Sequence, residues 1–297
     1  MKLQYHIIGE KDLKPFVQKL RSIEKEIEYP LEDGSENFFI DHGKQYSPFF
    51  TQQGFKTRFL IILYNDNVVG SIAAIWKKIF SNGKKYNALY ASDLKLKREY
   101  RNKGLVKNFL WYLIIRWPFV KDFKGWEFIY FCAMQRSNKG VEATFKGFHL
   151  GRLTKPEAVL NIYILDPIKF KEVDIEKIYF EPESEINLSP NLIDDVLWND
   201  GKKNIVSTKD KSIMKLGHIN PQLFYKENNL RLQDAVTNIA RNKGNLCFAI
   251  DNKNHVVINQ LEKYGIYTDT KCKVFSFSPF SKPFNPDQII SISTGEI

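Results

Sequence analysis

Apolar positions recur at helical spacing through residues 12–28 (DLKPFVQKLRSIEKEIE). This pattern predicts an amphipathic helix capped by Asp12, with Pro15 tolerated only near its start. From Tyr29 to Phe55 the pattern dissolves into polar, aromatic and turn-forming residues, which read as helical pieces and loops forming a flexible cover. Strand-like runs follow. Phe59 to Tyr64 and Val68 to Ile75 flank Asn65-Asp66-Asn67, a hairpin signal. Ser81-Asn82-Gly83 marks another turn, and Asn87 to Leu96 a third strand. After Gly104 the run LVKNFLWYLIIRW reads as a helix stopped by Pro118. Phe128 to Met134 is continuously apolar, as in a strand buried on both faces. Asn138 opens a second short helix, and Val159 to Leu165 is a further strand.

The order helix, antiparallel meander, helix, strand, helix, strand predicts an α/β (α+β) fold with a mixed, mostly antiparallel sheet flanked by helices. Pro167 and the acidic stretch 173–185 divide it from a second, smaller α/β domain, giving domains 1–167 and 168–297. In the second domain, Leu232 to Arg241 reads as a helix, Asn245 to Ile250 as a buried strand, His255 to Tyr264 as a helix closed by Gly265, and Lys273 to Ser278 as a strand. The same succession occupies residues 105–165, so the second half reads as a degenerate partial repeat of the first.

Composition changes this picture little. The 297 residues are 43% apolar, 14% aromatic and 26% charged, which excludes collagen-like, low-complexity and largely disordered chains. The longest apolar stretch, Phe109 to Val120, is broken by Arg116 and Pro118, and Met1 to Lys14 lacks the apolar run of a secretory signal. Three widely spaced cysteines (Cys132, Cys247, Cys272) build no disulfide framework, which points to the reducing cytoplasm, and with no spanning segment no membrane partner is expected. Cys132 reads as a small core residue. The five histidines show no metal-ligand spacing, and the aromatic residues at 111, 112 and 117 read as core.

Charge is more telling. Residues 1–165 carry 27 basic and 16 acidic groups, whereas residues 166–297 carry 17 and 18. The first half is therefore suited to an anionic ligand. The excess peaks in Asp93 to Lys107, DLKLKREYRNKGLVK, with six basic and two acidic residues. This segment leads from a strand into a helix. Unpaired N–H groups and the positive end of the helix dipole make such a turn a phosphate cradle, and a glycine lets the backbone approach the ligand.

Asp93-Leu94-Lys95-Leu96 followed by Arg101-Asn102-Lys103-Gly104-Leu105-Val106 resembles the GNAT superfamily of N-acetyltransferases, whose pattern at this place is Arg/Gln-x-x-Gly-x-Gly/Ala. Only Val106, where a small residue is usual, departs from it. The later Phe128–Met134 strand, Asn138 and Lys146-Gly147-Phe148 extend the likeness, which covers residues 1–165. The resemblance implies an acyl-CoA site, with acetyl-CoA or CoA as co-substrate. The pyrophosphate would lie on the N–H groups of residues 101–106, the pantetheine along the strand edge at Leu94, Lys95 and Leu96, and Asn138 near the cofactor arm. It implies direct attack of an amine on the thioester, with Asp93 as base, directly or through water. The family's tyrosine acid would fall at Ala143, which has no phenol. A small-molecule or peptide amine acceptor and a homodimer are further expectations, and Phe38, Phe39, Tyr46, Phe49 and Phe50 either line the acceptor pocket or pin the loop to the sheet. The second half has no such turn and is expected not to bind CoA. A catalytically silent acyl-CoA-binding module and a basic nucleic-acid binder are the competing readings; no nucleic-acid recognition motif supports the latter.

Overall fold

Two tight turns set the first meander. Asn65 and Asp66 both adopt positive φ (47° and 62°), as do Asn82 and Gly83 (51° and 70°). Consecutive positive φ values match the twist of a two-residue hairpin, and Asn, Asp and Gly tolerate them best. In the computed structural model, which describes residues 3–30, 37–101, 103–116, 119–134, 154–179, 184–279 and 281–297, these turns join β4 (Lys56–Tyr64), β5 (Asn67–Ser81) and β6 (Lys84–Leu96). The other strands of the first half are β1 (Leu3–Ile8), β2 (Tyr29–Pro30), β3 (Asn37–Asp41), β7 (Phe128–Met134) and β8 (Lys155–Leu165). Those of the second half are β9 (Glu185–Asn187), β10 (Val196–Trp198), β11 (Asn204–Ser207), β12 (Ile213–Met214), β13 (Leu216–Ile219), β14 (Asn245–Asp251), β15 (Lys271–Phe277) and β16 (Ile289–Ser291). The helices are α1 (Val17–Lys25), α2 (Pro48–Thr51), α3 (Leu105–Arg116), α4 (Pro167–Lys171), α5 (Asn229–Arg241) and α6 (His255–Lys263).

The main sheet runs β1-β4-β5-β6-β7-β15-β8-β14-β13-β10, with β9 joining β5 to β16; β12-β11-β3-β2 form a smaller sheet. It is mixed and mostly antiparallel, flanked by helices on both faces, as expected. The pairs β6·β7 and β13·β14 are parallel. The sheet crosses residue 167 without a break, because β15 from the second half lies between β7 and β8 of the first. Reading outward from the β15·β8 pair, β7 and then β6 on one side answer β14 and then β13 on the other. Each half thus lends one strand to the other.

One face of the first half packs α1 and α2 through Leu20, Ile23, Phe49 and Phe50 onto Phe59, Ile61, Ile75 and Tyr90. The opposite face packs α3 through Leu105 and Phe109 onto Leu60, Ile62, Val69 and Leu89. A third apolar cluster, with Phe248, Val236 and Leu232, gathers α5, α6 and second-half strands onto Phe170 of α4 and Tyr163 of β8. Burying a single side chain such as Phe50 stabilises the fold by about 1.5–3 kcal/mol.

Four expectations change. The stretch 29–55, expected as helical pieces and loops, also supplies strands β2 and β3 to the smaller sheet, where β3 pairs with β11. The helix of residues 12–28 is shorter: Glu10–Asp12 and Lys14–Phe16 are 3-10 turns and the α-helix begins at Val17. Pro15 offers no N–H to an i−4 carbonyl, so a continuous α-ladder starts only past it. The second strand runs on to Ser81, because Lys77, which interrupts the apolar pattern, is itself buried and ion-paired to Glu296 at 2.9 Å. Trp111 is 51% exposed, on the outer face of α3, and is not core. The second short helix expected at Asn138 lies outside the described residues.

Val274, fully buried in β15, tests the shared sheet. Val274→Ala is expected to cost about 2 kcal/mol. Calorimetry should show one unfolding transition moving as a unit; a shifted first or second half alone would contradict the continuous sheet.

Candidate functional site

Strands β6 and β7 pair in parallel over only three residues, Ala88 with Phe128, Leu89 with Ile129 and Tyr90 with Tyr130. Beyond Tyr90 and Tyr130, whose rings stack at 4.8 Å, β6 continues to Leu96 against β5, and β7 continues to Met134 against β15. Their facing edges therefore part at the carboxyl ends. Backbone groups on such a parted edge are open to an added strand-like ligand.

On β6, Asp93 and Leu94 together oppose the single residue Ile72, with Ser71 paired to Lys95 and Ala73 to Ser92. This is a β-bulge, and Asp93 takes the left-handed conformation (φ 58°) that its extra residue requires. The bulge sets Asp93 and Lys95 toward α1. There Lys95 Nζ donates to Glu24 Oε1 at 2.6 Å and to Asp93 Oδ2 at 2.7 Å. His42 Nδ1 makes a short contact with Glu24 Oε1, and the His42 backbone N–H donates to Glu24 Oε2 at 3.2 Å. Tyr46 OH donates to Asp93 Oδ2 at 3.2 Å. Tyr46 sits at φ 64° and is locked by ring contacts with His42, Phe50 and Phe59. A non-glycine residue held there stores about 1–3 kcal/mol of strain.

Burial governs the protonation of this cluster. It pushes Glu24 above the usual carboxylate range, against the pull of Lys95. It pushes His42 well below its ordinary value, with Lys95 adding to the effect, so the imidazole is neutral. Lys95 goes the other way: despite burial, Asp93, Tyr46 and Glu24 raise it and keep it an ammonium. Glu24, His42 and Asp93 have the donor set of a metal site, with ligand atoms within 4.8 Å of one another. The Lys95 ammonium already lies among them and supplies the positive charge, so the geometry favours an ion-pair cluster over a metal centre.

A second buried group adjoins it. Lys203 Nζ donates to Thr294 O at 3.4 Å and to Ile297 O, and lies 5.4 Å from the Phe49 ring. Burial brings its amine down to about 8, although neighbouring Asp93 opposes this. His218 Nδ1 lies 2.8 Å from Thr294 Oγ1, which donates to Cys247 O at 3.2 Å. Nδ1 of His218 therefore carries the proton, and the buried Nε2 is an acceptor without a partner among the described residues. Burial holds His218 near 3.

The turn leaving β6 reaches the N-terminus of α3 at Leu105, which is 8% exposed and anchors the helix. Gly104 has φ 71°, and a Cβ there would meet no atom within 4 Å among the described residues, so the elbow is open. Exposed Arg101 donates from Nε to Leu96 O at 3.1 Å, which engages one carbonyl of the expected pantetheine edge. Lys103 is exposed with its amine 5.3 Å from the Tyr100 ring. A cavity of about 490 Å³ beside the elbow is lined by Tyr64, Glu99, Tyr100, Lys103 and Leu105. Leu94 is 40% exposed, whereas the Lys95 side chain turns inward to the cluster. Asn102, Asn138 and Ala143 lie outside the described residues; Val106 is placed by its backbone in the first turn of α3. Phe39, Tyr46, Phe49 and Phe50 are buried, which fits pinning of the loop.

Sequence reasoning missed Glu24, His42, Lys203 and His218 as site residues. Glu24 had a signal: with Leu20, Ile23 and Ile27 it falls on the buried stripe of the first helix, where a lone carboxylate needs a partner. His42, Lys203 and His218 come from loops and short strands with no periodicity to mark them.

No protein-family model matches the sequence, and no curated protein does. Solved structures do. Saccharomyces cerevisiae N-myristoyltransferase with bound myristoyl-CoA superposes with a TM-score of 0.55 at 13% identity, over 96% of this chain and 86% of that one. A tandem GNAT protein from the clavulanic acid biosynthesis pathway gives 0.53 at 8% identity, over 93% and 98%. The chain has a GNAT-like fold.

Removing the central cation should strand buried carboxylate charge. Lys95→Met is expected to cost about 3–5 kcal/mol in denaturant unfolding. Adding Glu24→Gln should recover part of that loss; a strictly additive double variant would show that the pair is uncoupled. A separate expectation concerns acid. His218 and His42 resist protonation when folded but titrate near 6.5 when unfolded. Their contribution is complete above that value and is lost as pH falls below 6.5, for His218 down to about 3. Thermal melts should therefore drop across this window, and His218→Gln should flatten the slope.

Proposed function

We propose that the protein is an acyl-CoA-dependent N-acyltransferase that moves an acyl group from a CoA thioester to a primary amine by direct attack. The observation that carries this reading is the parting of β6 and β7 beyond Tyr90 and Tyr130, next to a basic, glycine-opened helix start. The GNAT-like fold supports it, since the N-myristoyltransferase neighbour holds myristoyl-CoA in its structure.

In this reading the diphosphate rests on the N–H groups of residues 101–106, where the helix dipole and Arg101 and Lys103 favour negative charge. The pantetheine runs along the free edge of β6 at Leu94, Lys95 and Leu96, as an added strand would. A backbone N–H of the parted edge holds the thioester oxygen as it gains charge. The amine attacks the thioester carbon, the C–N bond forms, and the C–S bond breaks to release CoA as thiolate. Asp93 takes the amine proton, directly or through a water, while Lys95 and Tyr46 fix the position of its Oδ2. The second half is expected not to bind CoA; its parallel strands β13 and β14 stay paired at His218 and Cys247, which Thr294 bridges. Acetyl-CoA is the donor expected from the sequence; the likeness to N-myristoyltransferase makes longer chains the other class to try. The hold of Lys95 on Asp93 favours the second reading, a module that binds acyl-CoA without turnover.

Thermal shift with CoA and with acetyl-CoA tests both readings. Ligand at about 100 times Kd should stabilise the wild type by about 2.7 kcal/mol. Gly104→Glu should abolish the shift, with Gly104→Ala as the control for backbone strain; no shift in the wild type would overturn both readings. Thiol release across acyl chain lengths and amines then decides turnover. Asp93→Asn should keep the thermal shift and lose about 10²–10⁴-fold in kcat.

A further inference from the structure

Helix α3 is apolar on more than one side. Its inner face, Leu105, Phe109 and the half-buried Tyr112 and Leu113, packs on the sheet and on Tyr5. Its outer face carries Trp111, 51% exposed, and Ile115, 63% exposed, one helical turn apart. Past the end of α3, the Phe119 and Val120 N–H groups both donate to Arg116 O, and Phe119 is 78% exposed. Three large apolar side chains, four residues apart in sequence, are therefore exposed here. A soluble surface scatters such residues singly, and a group of them marks a docking face.

The surroundings identify what docks. Residues 103–124 contain five basic residues, Lys103, Lys107, Arg116, Lys121 and Lys124, all exposed, and one acidic residue, Asp122, which is ion-paired to Arg58. Exposed Trp, Ile and Phe in a segment rich in exposed lysine and arginine have the chemistry of a face that lies in the headgroup layer of an anionic bilayer. A second copy of this chain, with a formal net charge of +10, would bring like charge against like. Nucleic acid would leave the apolar side chains unused.

We propose that the outer face of α3 together with Phe119, centred on Trp111, Ile115 and Phe119, docks onto anionic lipid membranes. This departs from the expectation of no membrane partner, which rested on the lack of a spanning segment. No helix among the described residues is long and apolar enough to cross a bilayer, but a face that lies on the surface needs no such helix. The inference stands apart from the acyl-transfer reading. Because α3 also begins at the Gly104 elbow, docking would hold that turn close to the lipid surface.

The test is co-sedimentation with phosphatidylcholine vesicles, with or without about one-third phosphatidylglycerol, at low and high salt. The wild type should pellet with the anionic vesicles, less so as salt rises, and not with phosphatidylcholine alone. The triple variant Trp111→Ser, Ile115→Ser, Phe119→Ser should lose at least tenfold in partitioning, with its helical circular dichroism intact. Should that variant misfold, Lys107→Glu with Arg116→Glu and Lys121→Glu should give the same loss. Absence of pelleting, or pelleting undiminished in folded variants, would overturn the proposal. So would sedimentation equilibrium showing a wild-type dimer that the triple serine variant dissociates, since the face would then belong to a second copy.

Discussion

One buried ammonium organises the centre of the first half. Lys95 Nζ joins Glu24 of α1 to Asp93 of the β6 bulge, and the short contact of Glu24 with His42 secures the loop after β3. Three elements distant in sequence are thereby tied by charge in a region with little water. Either carboxylate alone would be costly there, and so would the lysine alone. The bulge places Asp93 and Lys95 where they can meet, and the ion pair holds the bulge in its left-handed turn. The parting of β6 from β7 begins just beyond the last paired residue, Tyr90.

The second half reaches this centre by two routes. β15 threads between β7 and β8, so the far edge of the parted strands is built on second-half hydrogen bonds. The segment at 294–297 runs beneath the sheet. Glu296 is ion-paired to Lys77, Tyr90 OH donates to Glu296 O at 2.9 Å, and Lys203 meets the carbonyls of Thr294 and Ile297. The stacked Tyr90 and Tyr130, whose hydroxyls contact Glu296 O and Leu188 O, sit at the point of strand separation. The second half thus supplies structure to the cleft of the first, while in its own sheet Thr294 Oγ1 donates to Cys247 O, where β13 and β14 remain paired.

Helix α3 serves two surfaces. Its N-terminus presents backbone donors at an open glycine elbow, and its inner face secures that elbow to the sheet through Leu105 and Phe109. Its outer face carries the exposed apolar side chains Trp111 and Ile115.

The meander, the strand that ends at Leu96, the glycine before α3 and the basic turn were all legible in the chain, because turn residues and apolar periodicity are local signals. Asn65-Asp66 and Asn82-Gly83 specify their hairpins through backbone conformations that few other residues accept. The bulge at Asp93 was not legible, since a strand pattern carries no mark of an extra residue until its partner is known. Neither was the insertion of β15, because strand order depends on pairing energies between segments more than a hundred residues apart. The aromatic stretch after Tyr29 showed that something packs there, not that it carries His42 and Tyr46 to a shared carboxylate pair. Trp111 misled for a related reason: an all-round apolar helix has no polar face to reveal which side is buried. Local conformation follows from each residue's own sterics and hydrogen bonding, whereas the meeting of Glu24, His42, Asp93 and Lys95 exists only once the sheet has brought their elements together.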